Sequence, residues 1–250
     1  VNAPLTGTVA LVTGASSGIG AAIARGLAAD GAAVALVARR VDRLKSLADE
    51  LPLALAVGAD VTDATQAANA VARAATEWGR LDIVVNNAGL MLAGPVADAP
   101  DGEWERMLSV NLNGTLNIVR AALPHLRRAG TIGPRDVADL VTISSTSGRL
   151  ARSGNAVYSL TKFGVNGFSE ALRQEMVPHR VRVGEVAPGI VDTEMATHTR
   201  DGVREAFLGQ VAEVTLMQPS DIADAVRYMV TRGRRVAVNE MLVRAAEQTW

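Results

Sequence analysis

The sequence predicts an α/β protein built on one doubly wound parallel sheet, with helices on both faces. Three observations carry that expectation. Short apolar runs rich in valine and alanine recur along the chain, continuous rather than alternating, as strands buried on both faces require. Between them lie segments of ten residues or more with helical patterning, long enough to cross from one parallel strand to the next. A glycine-rich turn separates the first apolar run from the first helix. The 250 residues are 48% hydrophobic, enough to bury a core, and contain no internal repeat, low-complexity segment or Pro/Ser-rich hinge. A single domain over residues 1–250 is expected.

The first strand is expected over residues 8–13 (TVALVT), followed by a glycine-rich turn at 14–20 and a helix over about 19–29, which Gly31 closes. A second buried strand covers 33–38 (AVALVA), and a helix covers 42–51. The third strand, 53–57, runs on to Asp60 and Val61; Thr62 and Asp63 then start a helix that reaches about Trp78. The fourth strand, 81–85, ends in Asn86-Asn87-Ala88-Gly89. Residues 103–128 read as helical with a break near Asn111, and 130–135 (GTIGPR) as a surface loop. A fifth strand covers 138–144, a long helix 155–177, and a sixth strand 181–186, stopped by Pro188-Gly189. Residues 192–210 are irregular or helical. A helix over 220–231 has Ser220 as its N-cap, and a last strand over 236–243 precedes a short polar tail ending in Trp250.

Composition removes several function classes. The formal net charge is -1 with no basic stripe, and the cluster Arg232, Arg234, Arg235 is short, so a nucleic-acid partner is not expected. The absence of cysteine excludes disulfides, thiol catalysis and thiolate-bound metal. His125, His179 and His198 lie far apart without ligand spacing, so no metal site is expected. No 18-residue apolar run and no signal peptide occur, which predicts a soluble, cytoplasmic protein with no membrane partner. Lys45 and Lys162 are the only lysines.

Five stretches carry chemistry. Thr13-Gly14-Ala15-Ser16-Ser17-Gly18-Ile19-Gly20 lies between a buried strand and a helix, where glycines allow a pyrophosphate to approach and the helix N-terminus offers free N–H groups. A nucleotide site is the favoured reading; an unliganded strand-to-helix turn is the other. At the end of the second strand, an acidic residue would bind a ribose 2′-hydroxyl and favour NAD. This chain has Ala38-Arg39-Arg40 instead. A guanidinium forks onto a phosphate, so Arg39, with Arg40 as a second candidate, suits a 2′-phosphate and implies NADP(H). Two solvated arginines opening a helix is the alternative. Asn87, Ala88 and Gly89 end the fourth strand, where open parallel sheets bind ligands and small residues leave room for a ribose and nicotinamide. Ser144-Ser145 ends the fifth strand, and Ser145 is a candidate to hydrogen-bond a substrate carbonyl. Tyr158 and Lys162, four apart, share a helix face. An ammonium there would lower the phenol pKa and suit Tyr158 to general acid–base work, although such a pair on a solvated face does nothing.

In order along the chain, TGASSGIG at 13–20, Asp60-Val61, NNAG at 86–89, Asn111, Ser145, Tyr158-x-x-x-Lys162 and Pro188-Gly189 with Thr193 give a pattern that resembles the short-chain dehydrogenase/reductase family, in its single-domain branch. The departures are Ala187, where asparagine is frequent, and a longer stretch before the fifth strand. The resemblance implies a Rossmann-type sheet of about seven strands in the order 3-2-1-4-5-6-7. It implies a tetrad of Asn111, Ser145, Tyr158 and Lys162. In it Tyr158 donates a proton as hydride reaches a carbonyl, and Ser145 stabilises the oxyanion. Lys162 acidifies Tyr158 and holds the nicotinamide ribose, and Asn111 kinks its helix and anchors a relay water. It further implies that Gly14, Ser16, Ser17, Gly18, Ile19 and Gly20 line the pyrophosphate, Asp60 and Val61 the adenine, and Asn87, Ala88 and Gly89 the ribose. Pro188, Gly189, Ile190 and Thr193 then meet the nicotinamide, beneath a substrate lid at about 190–212. The expected function is NADPH-dependent reduction of a ketone or aldehyde, similar to bacterial carbonyl reductases such as those acting on clavulanate aldehyde. An NAD-dependent alcohol dehydrogenase working oxidatively and a non-catalytic NADP-binding regulator are the alternatives. A homo-oligomer, tetramer or dimer, is implied through the helices at 111–128 and 155–177, with an apolar stripe at Val157, Leu160, Phe163, Gly164, Gly167 and Phe168. Met91, Leu92 and Met195 suggest an apolar pocket, and Arg149 and Arg152 are candidates to meet a substrate carboxylate.

Overall fold

The structure, a computed structural model, describes residues 3–249; side chains at 196, 201, 206–208 and 210 fall outside that description, as does the expected tail end at Trp250. Seven parallel strands form one sheet in the order β3-β2-β1-β4-β5-β6-β7. They are β1 (Val9–Thr13), β2 (Ala33–Ala38), β3 (Ala54–Gly58), β4 (Ile83–Asn86), β5 (Ala138–Ile143), β6 (Val181–Pro188) and β7 (Glu240–Val243). The helices are α1 (Gly18–Ala29), α2 (Val41–Asp49), α3 (Ala64–Glu77), α4 (Glu103–Leu108), α5 (Thr115–Ile132), α6 (Ala156–Met176), α7 (Asp201–Gln210) and α8 (Pro219–Val230).

Period-two geometry sorts each strand between two cores. In β1, Ala10 and Val12 pack towards α1 and α8, whereas Val9 and Leu11 pack towards α3 and α5. Both faces are therefore apolar, which is why the strands read as unbroken hydrophobic runs. Strand order reverses between β2 and β4 on either side of β1. The loops after β1 and β4 diverge there and open a crevice at the carboxyl edge of the sheet. At the opposite edge, buried Asp82 accepts from Arg80 and from the Val9 amide, and buried Asp139 accepts from Arg135 and Arg182. These pairs close the amino ends of the central strands.

Four local expectations differ from what is found. The first half of the loop expected at 130–135 is the last turn of α5, which runs on to Ile132. The N-cap of α8 is Gln218, not Ser220. Pro219 takes the first helical position, where a missing N–H costs nothing, and the Gln218 amide donates to the Asp221 carboxylate at 2.7 Å. β7 starts at Glu240 rather than 236, because the Arg182 guanidinium takes the carbonyls of Arg232 and Val236 and replaces the ladder there. β6 runs past 186 to Pro188, which needs no ladder donor at the strand's end.

Candidate active site

Both halves of the site lie at the carboxyl edge. Two adjoining hollows, of about 360 and 380 Å³, share Ile19, Asn87, Gly89, Thr193 and Met195 and so form one cleft. The first is lined by Gly14, Ser16, Ser17, Gly18, Arg39, Arg40, Asp60, Val61 and Ala88. The second is lined by Ser145, Tyr158, Lys162, Pro188, Gly189 and Ile190. Among the expected site residues, Gly20 and Asn111 line neither hollow.

The glycine turn is held by its neighbour loop. Thr13 Oγ1 accepts from the amides of Asn87 and Ala88, both at 3.0 Å, and Asn87 Nδ2 donates to the Thr13 carbonyl at 2.9 Å. Thr13 is thus the joint between the two diverging loops, a role sequence reasoning did not give it. Gly14 (φ 66°) and Gly18 (φ 51°) occupy the left-handed region. A Cβ on Gly20 would lie 2.5 Å from Asn87 Nδ2 and against the Gly14 carbonyl. Gly20→Ala is therefore expected to destabilise the fold by about 1–3 kcal/mol and to disrupt the turn, measured by thermal melting and nucleotide titration. No side chain caps α1 at Ser17, so its first amides face the hollow with their positive dipole end. Arg40 donates to Ser16 Oγ (3.1 Å), Ser17 Oγ (2.6 Å) and Glu194 Oε2 (2.8 Å), and Arg43 donates to Glu194 Oε1 (2.7 Å). Arg39 is exposed at the same cleft with no ion-pair partner among the described residues. The cradle is suited to a ligand with several phosphates.

In the second hollow, Ser145 and Tyr158 line the same wall, and Ser145 Oγ accepts from the Ser147 amide at 3.1 Å. Tyr158 is buried among Leu90, Leu92 and Met107. Burial pushes its hydroxyl up to about 12, and the nearby Ser145 hydroxyl opposes that only in part. The acidification expected from Lys162 is not found: burial raises the phenol, and the neighbour that opposes it is Ser145. Lys162 Nζ lies 5.6 Å from the ring centroid and donates to the Ile143 carbonyl at 2.8 Å. Burial pulls Lys162 itself down to about 8, with the nearby Glu185 carboxylate pulling the other way. A Cβ on Gly89 would sit 3.9 Å from Nζ, so the ammonium faces the floor shared by both hollows.

Asn111 lies in a π-helical segment, Ser109–Gly114, joining α4 to α5; the expected helix break is this bulge. Its amide oxygen accepts from the Leu90 amide, and its nitrogen donates to the Leu90 carbonyl, both at 2.8 Å, and to Thr161 Oγ1 at 3.1 Å. Both amide hydrogens are taken, so the side chain ties the loop after β4 to α6.

Besides Glu194, three residues were not found by sequence reasoning. Glu185 is buried on β6 beneath Lys162, and a lone glutamate in an apolar strand carried no motif signal. Asn155 and Gln248 line the second hollow. Gln248 Oε1 accepts from the Ile190 amide at 3.0 Å, which brings the chain's far end under the lid. Arg149 bridges Glu185 and Glu240 and lines a separate hollow, so of the two candidate arginines only Arg152 lines the second hollow. The lid segment carries a short 3-10 turn (Glu194–His198) and α7, and its base is tied down by the Asp192 amide donating to the Met217 carbonyl. Among the described residues no helix is long and apolar enough to cross a membrane.

The family model for short chain dehydrogenase matches residues 8–204. A glycine betaine reductase of Emericella nidulans is 37% identical over 98% of this chain, which spans only 19% of that protein. A Brucella melitensis 3-ketoacyl-(acyl-carrier-protein) reductase complexed with NADH superposes with a TM-score of 0.87 at 29% identity, covering 97% of this chain and 98% of that one. The closed form of a serine dehydrogenase complexed with NADP+ gives a TM-score of 0.87 at 31% identity, covering 97% of each chain. The fold and the paired hollows define a dinucleotide-binding oxidoreductase class. The chain belongs to the short-chain dehydrogenase family.

Proposed function

We propose that the chain is an NADPH-dependent carbonyl reductase that converts a ketone or aldehyde to an alcohol. The observation that carries this is the Ser145–Tyr158–Lys162 group at the floor of a hollow that opens onto the Arg39–Arg40 nucleotide cradle. The uncapped α1 terminus, the left-handed glycines and the arginines after β2 fit a nicotinamide dinucleotide with a 2′-phosphate. When bound, that coenzyme supplies the hydride for the carbonyl carbon.

This chain's residues do the rest. Tyr158, neutral at working pH, gives its phenolic proton to the carbonyl oxygen as negative charge builds there. Ser145 holds the same oxygen and donates to the developing oxyanion. Lys162, charged below about pH 8, lies near enough to stabilise the phenolate left behind and faces the ribose side of the cleft. Asn111 is a positioning residue that fixes Leu90 and Thr161 beside them. Met91, Leu150 and Met195 give the second hollow an apolar wall suited to a small or medium carbonyl substrate.

The test is NADPH oxidation across a panel of ketones and aldehydes. Arg39→Ala is expected to weaken NADPH by about tenfold or more while changing NADH little, because a phosphate–guanidinium bond is charge-assisted. Equal losses for both coenzymes would discard the 2′-phosphate role. The NADH complex of the Brucella relative favours NADH use as a second reading, and the same titration decides it. We further propose that a second copy of this chain covers α6, where Leu160 and Phe163 are 59% and 46% exposed despite the apolar stripe.

A further inference from the structure

The lid and the coenzyme cradle are joined by one carboxylate. Glu194 opens the 3-10 turn of the lid, and it reaches across the cleft mouth to two arginines of the β2–α2 region. Oε2 accepts from Arg40 and Oε1 from Arg43, so both oxygens are engaged. Arg40 is at the same time fixed to the hydroxyls of Ser16 and Ser17 in the glycine turn. Its guanidinium therefore sits where a ligand's ribose and phosphates must pass, already holding an anion. Two guanidiniums converging on one oxyanion is the arrangement that phosphate recognition uses.

We propose that Glu194 is a coenzyme-selectivity residue: in the unliganded chain its carboxylate stands in for the 2′-phosphate on Arg40 and Arg43, and a 2′-phosphorylated coenzyme must displace it. This rests on the NADP(H) reading given above. A dianionic phosphate near Glu194 is repelled until that carboxylate gives up the arginines. A coenzyme with a 2′-hydroxyl carries no charge at that position to draw the arginines off Glu194. Binding of the phosphorylated form thereby releases the lid from the β2–α2 edge, while binding of the other leaves the latch in place. The three side chains are roughly half exposed, at 44% for Arg40, 50% for Arg43 and 43% for Glu194. Such pairs are individually weak and salt-sensitive, which suits a latch that a ligand must undo.

The experiment is calorimetric titration of wild type, Glu194→Gln and Arg43→Ala with NADPH, NADH and adenosine 2′,5′-bisphosphate at low and high salt. Glu194→Gln is expected to tighten NADPH and the bisphosphate by about three- to tenfold at low salt, with a smaller gain at high salt, and to leave NADH within about twofold. Unchanged or weaker NADPH binding by Glu194→Gln, in a protein whose wild type prefers NADPH, would overturn the inference and leave the coenzyme assignment standing. Arg43→Ala removes half of the latch without touching the carboxylate. If Arg43 passes to the phosphate once Glu194 leaves, this variant weakens the bisphosphate relative to wild type; no change would equally count against the exchange. A wild type that binds NADH as tightly as NADPH and ignores Arg39→Ala would instead overturn the coenzyme reading itself, and the inference with it.

Discussion

Tyr158→Phe is expected to lower turnover of a good carbonyl substrate by about 10²–10⁴-fold, the usual range for removing a general acid. NADPH affinity should stay within about twofold, since the phenyl ring keeps the packing against Leu90, Leu92 and Met107. The physical reason is the hydroxyl's state. With its pKa pushed up to about 12, it is fully protonated at neutral pH, and its proton can move to an alkoxide-like oxygen. Burial sets that value, and phenylalanine keeps the burial while removing only the hydroxyl. Stopped-flow NADPH oxidation under single-turnover conditions gives the number. Equal rates in both proteins would remove Tyr158 from the chemistry.

The second large effect is at Lys162. Lys162→Ala is expected to lose both turnover and NADPH affinity, if its one ammonium has the two roles proposed above, at the phenol and at the coenzyme ribose. Loss of turnover alone would show that the lysine has no hold on the coenzyme. In the wild type, kcat/KM should fall as pH rises through about 8, where the ammonium loses its proton. Glu185 holds that proton on, so Glu185→Gln should move the fall to lower pH. Unfolding from this group cannot mimic the effect. Between about pH 8 and the unfolded lysine's value near 10.5, the unfolded chain binds more protons than the folded one, so this group's contribution to stability rises with pH there. A profile flat to pH 10 would contradict the assignment.

Much of this was legible in the sequence because buried parallel strands and glycine turns leave local signatures. The apolar runs at 8–13 and 33–38 mark β1 and β2 to within a residue, and the Arg39–Arg40 pair marks the cradle's edge. Ser145, Tyr158 and Lys162 line one hollow, whereas Asn111, read beside them, lines neither hollow. What stayed hidden depends on contacts between distant segments. Glu185 matters only because β6 brings it under α6, and Gln248 only because the chain's end folds back on Ile190. Glu194 reads as an ordinary lid residue until it is seen 2.8 Å from Arg40, 154 positions away. The sign of the Tyr158 shift was misjudged for a related reason: helical spacing gives the neighbour but not the burial.

The Thr13 joint bears on how the chain matures. Its partner Asn87 lies 74 residues further on, so the glycine turn emerges during synthesis long before anything holds it. At about 5–20 residues per second, that gap lasts several seconds, and early strands wait unpaired on one side until β4 arrives. The β1–β4 ladder is a long-range contact of the kind that slows folding. A nascent chain therefore has no first hollow to offer until β4 has docked, and its second hollow waits longer still, for α6 and β6.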